Sequence, residues 1–181
     1  MLKRILIQAL TLSIGCAAVL PLQAQVAPSS EQVQRYTGLL AAAQSGDNAQ
    51  IKTLVAKKAP LDVRDAQQRT PLHVATFARQ REAVRLLAHA GAALDLLEND
   101  RYDAVTIASV ADDEDTLRLL LSLGAKAGQV TSRYDGTALI AAAHLGHDGV
   151  VRQLIQAGAP LQLARARGYA EMVRMLERAA P

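Results

Sequence analysis

The sequence contains very few aromatic residues: no tryptophan, one phenylalanine and four tyrosines among 181 residues. A globular core built around bulky rings is therefore excluded. Half of the residues are nevertheless apolar, and alanine and leucine dominate that half. These side chains favour thin layers of closely packed helices, and the chain length suits one domain or one short repeat array.

Cysteine is almost absent as well, since Cys16 is the only one. It lies in an N-terminal segment that we expect to be removed on export, so the mature chain would have no disulfide, redox pair or thiolate metal site. The Gly-Cys pair raises the alternative of a lipid-modified cysteine. That alternative is disfavoured because Ser13 stands where a lipobox has leucine and because the apolar run continues past Cys16.

Residues 1–24 have the pattern of a secretory signal peptide. Two basic residues are followed by the apolar run Ile5–Leu20 and by a small-residue cleavage site after Ala24. An uncleaved membrane anchor is the alternative, but the run is short for a span and is interrupted by polar residues. We therefore predict export to the periplasm, a flexible leader over residues 25–31, and no membrane attachment after cleavage.

The charge balance gives no sign of a nucleic-acid-binding protein. The whole chain carries a formal charge of +3, and removal of Lys3 and Arg4 with the signal peptide leaves about +1. The basic character of the full sequence is thus partly a property of its export signal.

One pattern recurs along the rest of the chain. Its starting positions are separated by 33, 33, 34 and then 22 residues. They are Gly38, Pro71, Ala104, Ala138 and Pro160. An alanine stands four residues after every start: Ala42, Ala75, Ala108, Ala142 and Ala164. Aliphatic residues recur one, thirteen and sixteen residues after each start, so a unit of about 33 residues is repeated.

The motifs of this unit resemble those of the ankyrin-repeat family. They are "TPLHVA" at 70–75, "GTALIAAAHLGH" at 136–147, and Gly-Ala pairs at 91–92, 124–125 and 158–159. The tetratricopeptide repeat has a similar period but expects aromatic residues inside its helix pairs. The chain thus looks like a small exported bacterial ankyrin-repeat protein.

This resemblance implies an all-α solenoid over residues 32–181, made of stacked helix-turn-helix units with finger loops between them. About five repeats are expected, at about 37–65, 66–98, 99–131, 132–159 and 160–180. The last spacing is short by about one finger, so we expect a final helix pair, at about 160–167 and 171–179, without its finger.

Several turn residues have predicted structural roles. Thr70 is expected to cap a helix N-terminus, with His73 completing a capping box. The glycines eight residues after a repeat start, Gly46, Gly146 and Gly168, suit a left-handed backbone. Arg79 and Asp112 occupy that position in the second and third repeats, and arginine should be the more strained of the two.

No constellation of residues predicts an enzyme or a cofactor site. His144 and His147 could suggest a metal pair, but no third ligand is apparent, and His147 falls where the repeat pattern places a turn-bracing residue. The acidic run 112–115 does not match a calcium loop and is better explained as helix capping. We expect no catalytic residue, metal or cofactor.

The family resemblance also implies which positions face a partner protein: those on the finger tips and on the concave face of the first helices. The corresponding residues are Tyr36, Gln44, Ser45, Arg69, Phe77, Asn99, Asp100, Tyr102, Val110, Arg133, Tyr134, His144, Leu145 and Arg167. Four of the five aromatic residues of the mature chain belong to this set. Aromatic and arginine side chains are frequent in protein-binding hot spots, although the rings could instead pack between neighbouring fingers.

We therefore expect a monomeric, non-catalytic module that binds an unidentified periplasmic protein. An immunity or inhibitor protein, which would neutralise a toxin or a periplasmic enzyme through the same surface, is the alternative. The sequence does not separate these two roles.

Overall fold

The computed structural model of the protein describes residues 27–131 and 136–162. The predicted signal peptide, Arg133, Tyr134, Arg167, Gly168 and most of the predicted final helix pair lie outside these residues. The described part contains nine short helices and one isolated antiparallel bridge, between Val130 and Thr137. None of its helices is long and apolar enough to cross a membrane.

The helices alternate between two layers. A short helix, α1 (Ser30–Gln34), precedes the array. The first helices of the repeats are α2 (Gly38–Ser45), α4 (Pro71–Phe77), α6 (Ala104–Val110) and α8 (Ala138–Leu145). The second helices are α3 (Asn48–Ala56), α5 (Arg81–His89), α7 (Glu114–Ser122) and α9 (Asp148–Gln156). Each helix packs on its partner and on the equivalent helices of neighbouring repeats, which confirms the predicted all-α solenoid.

Burial of the repeating alanines holds the first helices together. Ala42, Ala75, Ala108 and Ala142 are at most 1% exposed. The first helices pack more extensively against one another than the second helices do, because a methyl side chain lets two helices approach closely. Helices of seven to nine residues are too short to be stable alone, so each repeat depends on its neighbours.

The predicted capping residues stand at the helix N-termini, and the predicted turn residues follow the helix C-termini. Thr70 accepts from the backbone N–H of His73 in a capping box, and Asp113 accepts from that of Thr116. Gly46 and Gly146 have φ of 70° and 75°. Arg79, with φ of 55°, donates from Nη2 to the Ala111 carbonyl 2.8 Å away, a bond to the next repeat that helps to offset its backbone strain.

The N-terminal end of the array differs from the prediction. We expected a flexible leader over residues 25–31, but residues 30–34 form α1. The cause is a capping box in which Ser29 and Gln32 exchange backbone and side-chain hydrogen bonds. Helix α1 therefore takes the place that a finger would have before the first repeat.

The fifth repeat begins without a finger. Helix α9 ends at Gln156, Gly158 has φ of 82°, and helical backbone resumes at Leu161. Pro160 packs directly on Gly128, where an added Cβ would lie 2.6 Å from the proline Cδ. This start agrees with the prediction of a missing finger.

Enlarging a buried alanine should weaken the whole stack. We expect Ala108→Leu to lower the free energy of unfolding by about 1–3 kcal/mol, because α6 is packed between α4 and α8 and has no room for three more carbons. Ala56→Leu is the matched control, since Ala56 is exposed on α3. Urea denaturation followed by circular dichroism measures both, and equal stability of the two variants would contradict the proposed role of alanine.

Candidate partner-binding surface

Three apolar side chains lie at the ends of successive first helices. Phe77, Val110 and Leu145 are the last residues of α4, α6 and α8, and we call them the apolar row. Phe77 and Val110 are half-buried, and Leu145 is 41% exposed. In α2 the corresponding end carries half-buried Gln44 and exposed Ser45, so the row becomes polar at the first repeat.

The apolar row is not part of the packed core. Other partly buried apolar side chains of the described chain, such as Leu86, Leu94 and Leu121, pack against the core cluster. Phe77, Val110 and Leu145 are not among the residues that do so. Phe77 and Val110 stand six residues after their repeat starts and Leu145 seven after its own, so three of the predicted site residues lie at the ends of neighbouring first helices, with part of their apolar surface open to solvent.

The fingers are the loops that connect each second helix to the next first helix, at 57–70, 90–103 and, in its described parts, 123–131 and 136–137. In the first two, a carboxylate organises the tip. Asp65 accepts from the backbone N–H of Gln67 at 2.9 Å and of Arg69 at 2.8 Å. Glu98, 33 residues later, accepts from the N–H of Asp100 at 2.9 Å and of Tyr102 at 3.1 Å. The backbone of each of these two tips is therefore held by hydrogen bonds to an acidic side chain of the same finger.

Arg69 does not face a partner, and its prediction as a site residue was wrong. Its side chain is 2% exposed. Nε lies 2.7 Å from Oδ2 of Asp65, and Nη2 donates to Oε1 of Gln32 at 2.8 Å and of Gln67 at 3.0 Å. The guanidinium is thus enclosed by polar groups of α1 and of the first finger, and it joins these two elements.

Tyr36 belongs to the same network. Its hydroxyl donates to Oδ2 of Asp65 at 2.7 Å. Burial and this hydrogen bond raise the pKa of Tyr36. The pKa of Asp65 is lowered, because the hydrogen bonds from Tyr36 and Arg69 outweigh the opposing effect of burial. The phenol therefore ties α1 to the first finger, which is the structural role that the sequence left open for these rings.

The second finger carries three more predicted residues. Asn99 is exposed, whereas Asp100 and Tyr102 are half-buried. The Asn99 N–H donates to the Gln67 carbonyl at 3.0 Å, so this tip rests on the first finger. Arg133 and Tyr134 of the third finger lie outside the described residues.

His73, on α4, is hydrogen-bonded to the second finger. Its Nδ1 accepts from the Thr70 N–H at 3.0 Å, and Nε2 lies 3.0 Å from the Leu96 carbonyl. This geometry requires the neutral ring with its proton on Nε2, since a protonated Nδ1 could not accept. Burial is the main cause that lowers the pKa of His73 from 6.5 to about 4.

His144 and His147, the histidines of the possible metal pair, lie in different surroundings. His144 is exposed at the end of α8. His147 uses Nδ1 for a 2.9 Å hydrogen bond to the Ser109 carbonyl, a bracing contact between the third and fourth repeats. No group of three or more potential ligands that could hold a metal ion occurs within residues 27–131 and 136–162.

Sequence reasoning missed some exposed residues of the fingers. Val63 and Val130 are 36% and 41% exposed, and Leu96 is half-buried. All three stand eight residues before a repeat start, so a search of that position in every repeat would have found them. Arg101, also missed, is exposed at the second tip with φ of 66°.

Family models match most of the chain. A model described as ankyrin repeats (3 copies) matches residues 9–100, and a model described as ankyrin repeat matches residues 134–161. No curated protein matches the sequence.

The burial of His73 predicts a loss of stability in acid. The unfolded chain binds the proton near pH 6.5 and the folded ring only near pH 4, so this residue's contribution is complete above pH 6.5 and is lost as the pH falls towards 4. The expected loss is about 3 kcal/mol at about 1.4 kcal/mol per pKa unit.

His73→Gln is the matched variant, because glutamine can complete a capping box but does not titrate. Urea denaturation between pH 7.5 and 4 should show that the wild type loses more stability than the variant. Burial raises the pKa values of Glu98 and Asp103, so these two carboxyls favour the folded state as the pH falls, opposite to His73. Because the wild type and the variant both contain them, their effect cancels in the comparison. If the free energy of unfolding fell equally in the wild type and in His73→Gln over this pH range, the lowered pKa of His73 would be contradicted.

Proposed function

Because the chain belongs to the ankyrin-repeat family, whose repeats generally mediate protein–protein interaction, we propose that it binds a partner protein through the apolar row and the finger tips. The proposed role is non-catalytic, as is typical of the family. The surface presents partly open apolar side chains for contact. None of the described contacts activates a nucleophile or forms an acid–base pair.

The partial exposure of the apolar row carries this proposal. Leu145 is 41% exposed, although the aliphatic residues near the starts of the same helices, Leu72 and Leu139, are 1% exposed. A single exposed apolar residue has no special meaning, but partly open apolar residues at the ends of three consecutive first helices are typical of an interaction surface. Partner binding would bury these three side chains together.

We also propose that the protein acts outside the cytoplasm, in a Gram-negative periplasm. The support is the order of a basic start, the apolar run Ile5–Leu20 and a small-residue cleavage site. The mature protein would then meet its partner as a monomer in the periplasm. The same surface would serve a scaffold and an inhibitor equally well.

Removing the apolar row should abolish partner capture. We expect Val110→Ser/Leu145→Ser to stay folded and to recover at least ten-fold less partner from periplasmic extract, because the apolar contact is lost. The control is Lys52→Ser/Arg152→Ser, which shortens two exposed side chains on the second helices α3 and α9. Quantitative mass spectrometry of the captured proteins, with circular dichroism of each variant, makes the comparison.

A partner that the wild type and the control retain but the row variant loses would support the proposal. Equal recovery by all three proteins would refute it. If the captured protein is an enzyme or a toxin, its activity in the presence of the chain separates an inhibitor from a scaffold.

Export should leave a processed N-terminus. We expect the secreted chain to begin at Gln25 without a lipid, and a chain lacking residues 2–24 to remain in the cytoplasm. Cell fractionation followed by intact-mass measurement tests both. An unprocessed chain in the membrane fraction would favour the anchor, and a lipid-sized mass increase on Cys16 would favour the lipoprotein.

A further inference from the structure

We infer that α1 sets the conformation of the first two finger tips, at 65–69 and 98–102, and that Arg69 is the positioning residue through which it does so. This inference rests on the proposed function, because the tips belong to the proposed binding surface, and it adds a means of regulating them. It follows from a continuous series of hydrogen bonds that leads from α1 through the first finger to the second.

Arg69 connects α1 to the first tip through a single nitrogen. Its Nη2 donates to Oε1 of Gln32, on α1, at 2.8 Å and to Oε1 of Gln67, at the tip, at 3.0 Å. Its Nε and backbone N–H donate to Asp65 at 2.7 and 2.8 Å. Because all three residues hold the position of the guanidinium, a displacement of Gln32 changes the hydrogen bonding of Gln67.

The ion pair of the first tip depends on its enclosure. The Arg69 side chain is 2% exposed and the Asp65 side chain is 6% exposed. If α1 moved away, Nη2 would lose the Gln32 acceptor and the guanidinium would be opened to solvent, where ion pairs contribute little to stability. The groups that order the first tip are therefore strongly paired only while α1 is in place.

The first tip in turn supports the second. The backbone carbonyl of Gln67, whose side chain is bound by Arg69, accepts from the Asn99 N–H at 3.0 Å. Arg64 reinforces this contact, because its Nη1 donates to a carbonyl of each finger, at 2.8 and 2.9 Å. A change at α1 can thus reach the second tip through Arg69 and Gln67, although α1 and the second tip belong to different repeats.

Helix α1 has little stability of its own. It has five residues, none of them buried, and so short a helix is unstable in isolation. The capping box of Ser29 and Gln32 and the hydrogen bond from Arg69 hold it in place. Segments of low local stability open most readily. A molecule that displaced α1 would therefore loosen both tips without contacting either of them.

Amide hydrogen exchange of the full chain, followed by NMR at pH 7, tests the inference. Gln32→Leu removes the acceptor on α1. We expect the Asn99 N–H of the second finger to exchange about three-fold faster or more, the factor that loss of one modest hydrogen bond gives. The Arg69 N–H should also exchange faster. The Thr131 N–H of the third finger, which donates to the Gly136 carbonyl, should keep its rate.

Two further variants of α1 are the matched controls. Gln32→Glu keeps an oxygen acceptor for Arg69 and can complete the capping box, so it should preserve the wild-type exchange rate at Asn99. Glu31→Gln breaks an exposed ion pair near the end of α1 but leaves the contacts with the finger intact, and it should do the same. Urea denaturation of all three variants checks that the array as a whole keeps its stability.

An unchanged exchange rate at Asn99 in Gln32→Leu would overturn the inference, even if the Arg69 N–H exchanged faster, because the second tip would then be independent of α1. Equal acceleration in Gln32→Glu would also overturn it, since the contact with Arg69 would not be the link. Either result leaves the proposed function standing if the apolar row variant still loses the captured partner.

Partner capture from periplasmic extract tests the proposed function separately. Gln32→Leu should recover several-fold less partner than Glu31→Gln, although neither substitution alters a finger tip. If Gln32→Leu accelerates exchange at Asn99 but recovers as much partner as Glu31→Gln, the coupling of α1 to the tips is supported and the proposed role of the tips in binding is refuted.

Discussion

The close packing of successive first helices, which bury an alanine in every repeat, is the constraint on which the rest of the structure depends. Each repeat supplies two helices too short to persist alone, so the array exists only because these helices approach closely enough to bury one continuous core. The alanines buried in this way from the first repeat to the fourth are Ala42, Ala75, Ala108 and Ala142. Because the first helices pack side by side, their ends are neighbours, and this packing places the three residues of the apolar row on adjacent helices.

Buried polar groups position the fingers on this scaffold. The Asp65, Arg69 and Tyr36 contacts attach the first finger to α1, and His73 attaches the second finger to α4 through the Leu96 carbonyl. Breaking one partner of a buried ion pair generally costs several kcal/mol, because the other charge remains enclosed. The finger tips can therefore vary in the residues they expose, whereas the groups beneath them must stay paired.

The sequence predicted the periodic features well and the contacts between repeats poorly. Helix positions, the buried alanines and the left-handed turns at Gly46 and Gly146 follow from local pattern and backbone preference. The burial of Arg69 does not follow from the local pattern. Its position in the repeat suggests a finger tip, whereas its actual neighbours come from α1 and from Asp65. Helix α1 was missed for a related reason: the Ser29 and Gln32 capping box is a local signal that the repeat register overrode.

The distribution of charge follows from helix capping and has a consequence for recognition. Acids such as Asp113 cap the second helices at their N-termini, where carboxylates are favoured by the helix dipole, and they therefore collect at the turns. Because these turns adjoin the ends of the first helices, the requirement for capping places negative charge beside the apolar row. Residues that stabilise the repeats thus also set the charge near the proposed binding surface, and this charge would contribute to the choice of a partner there.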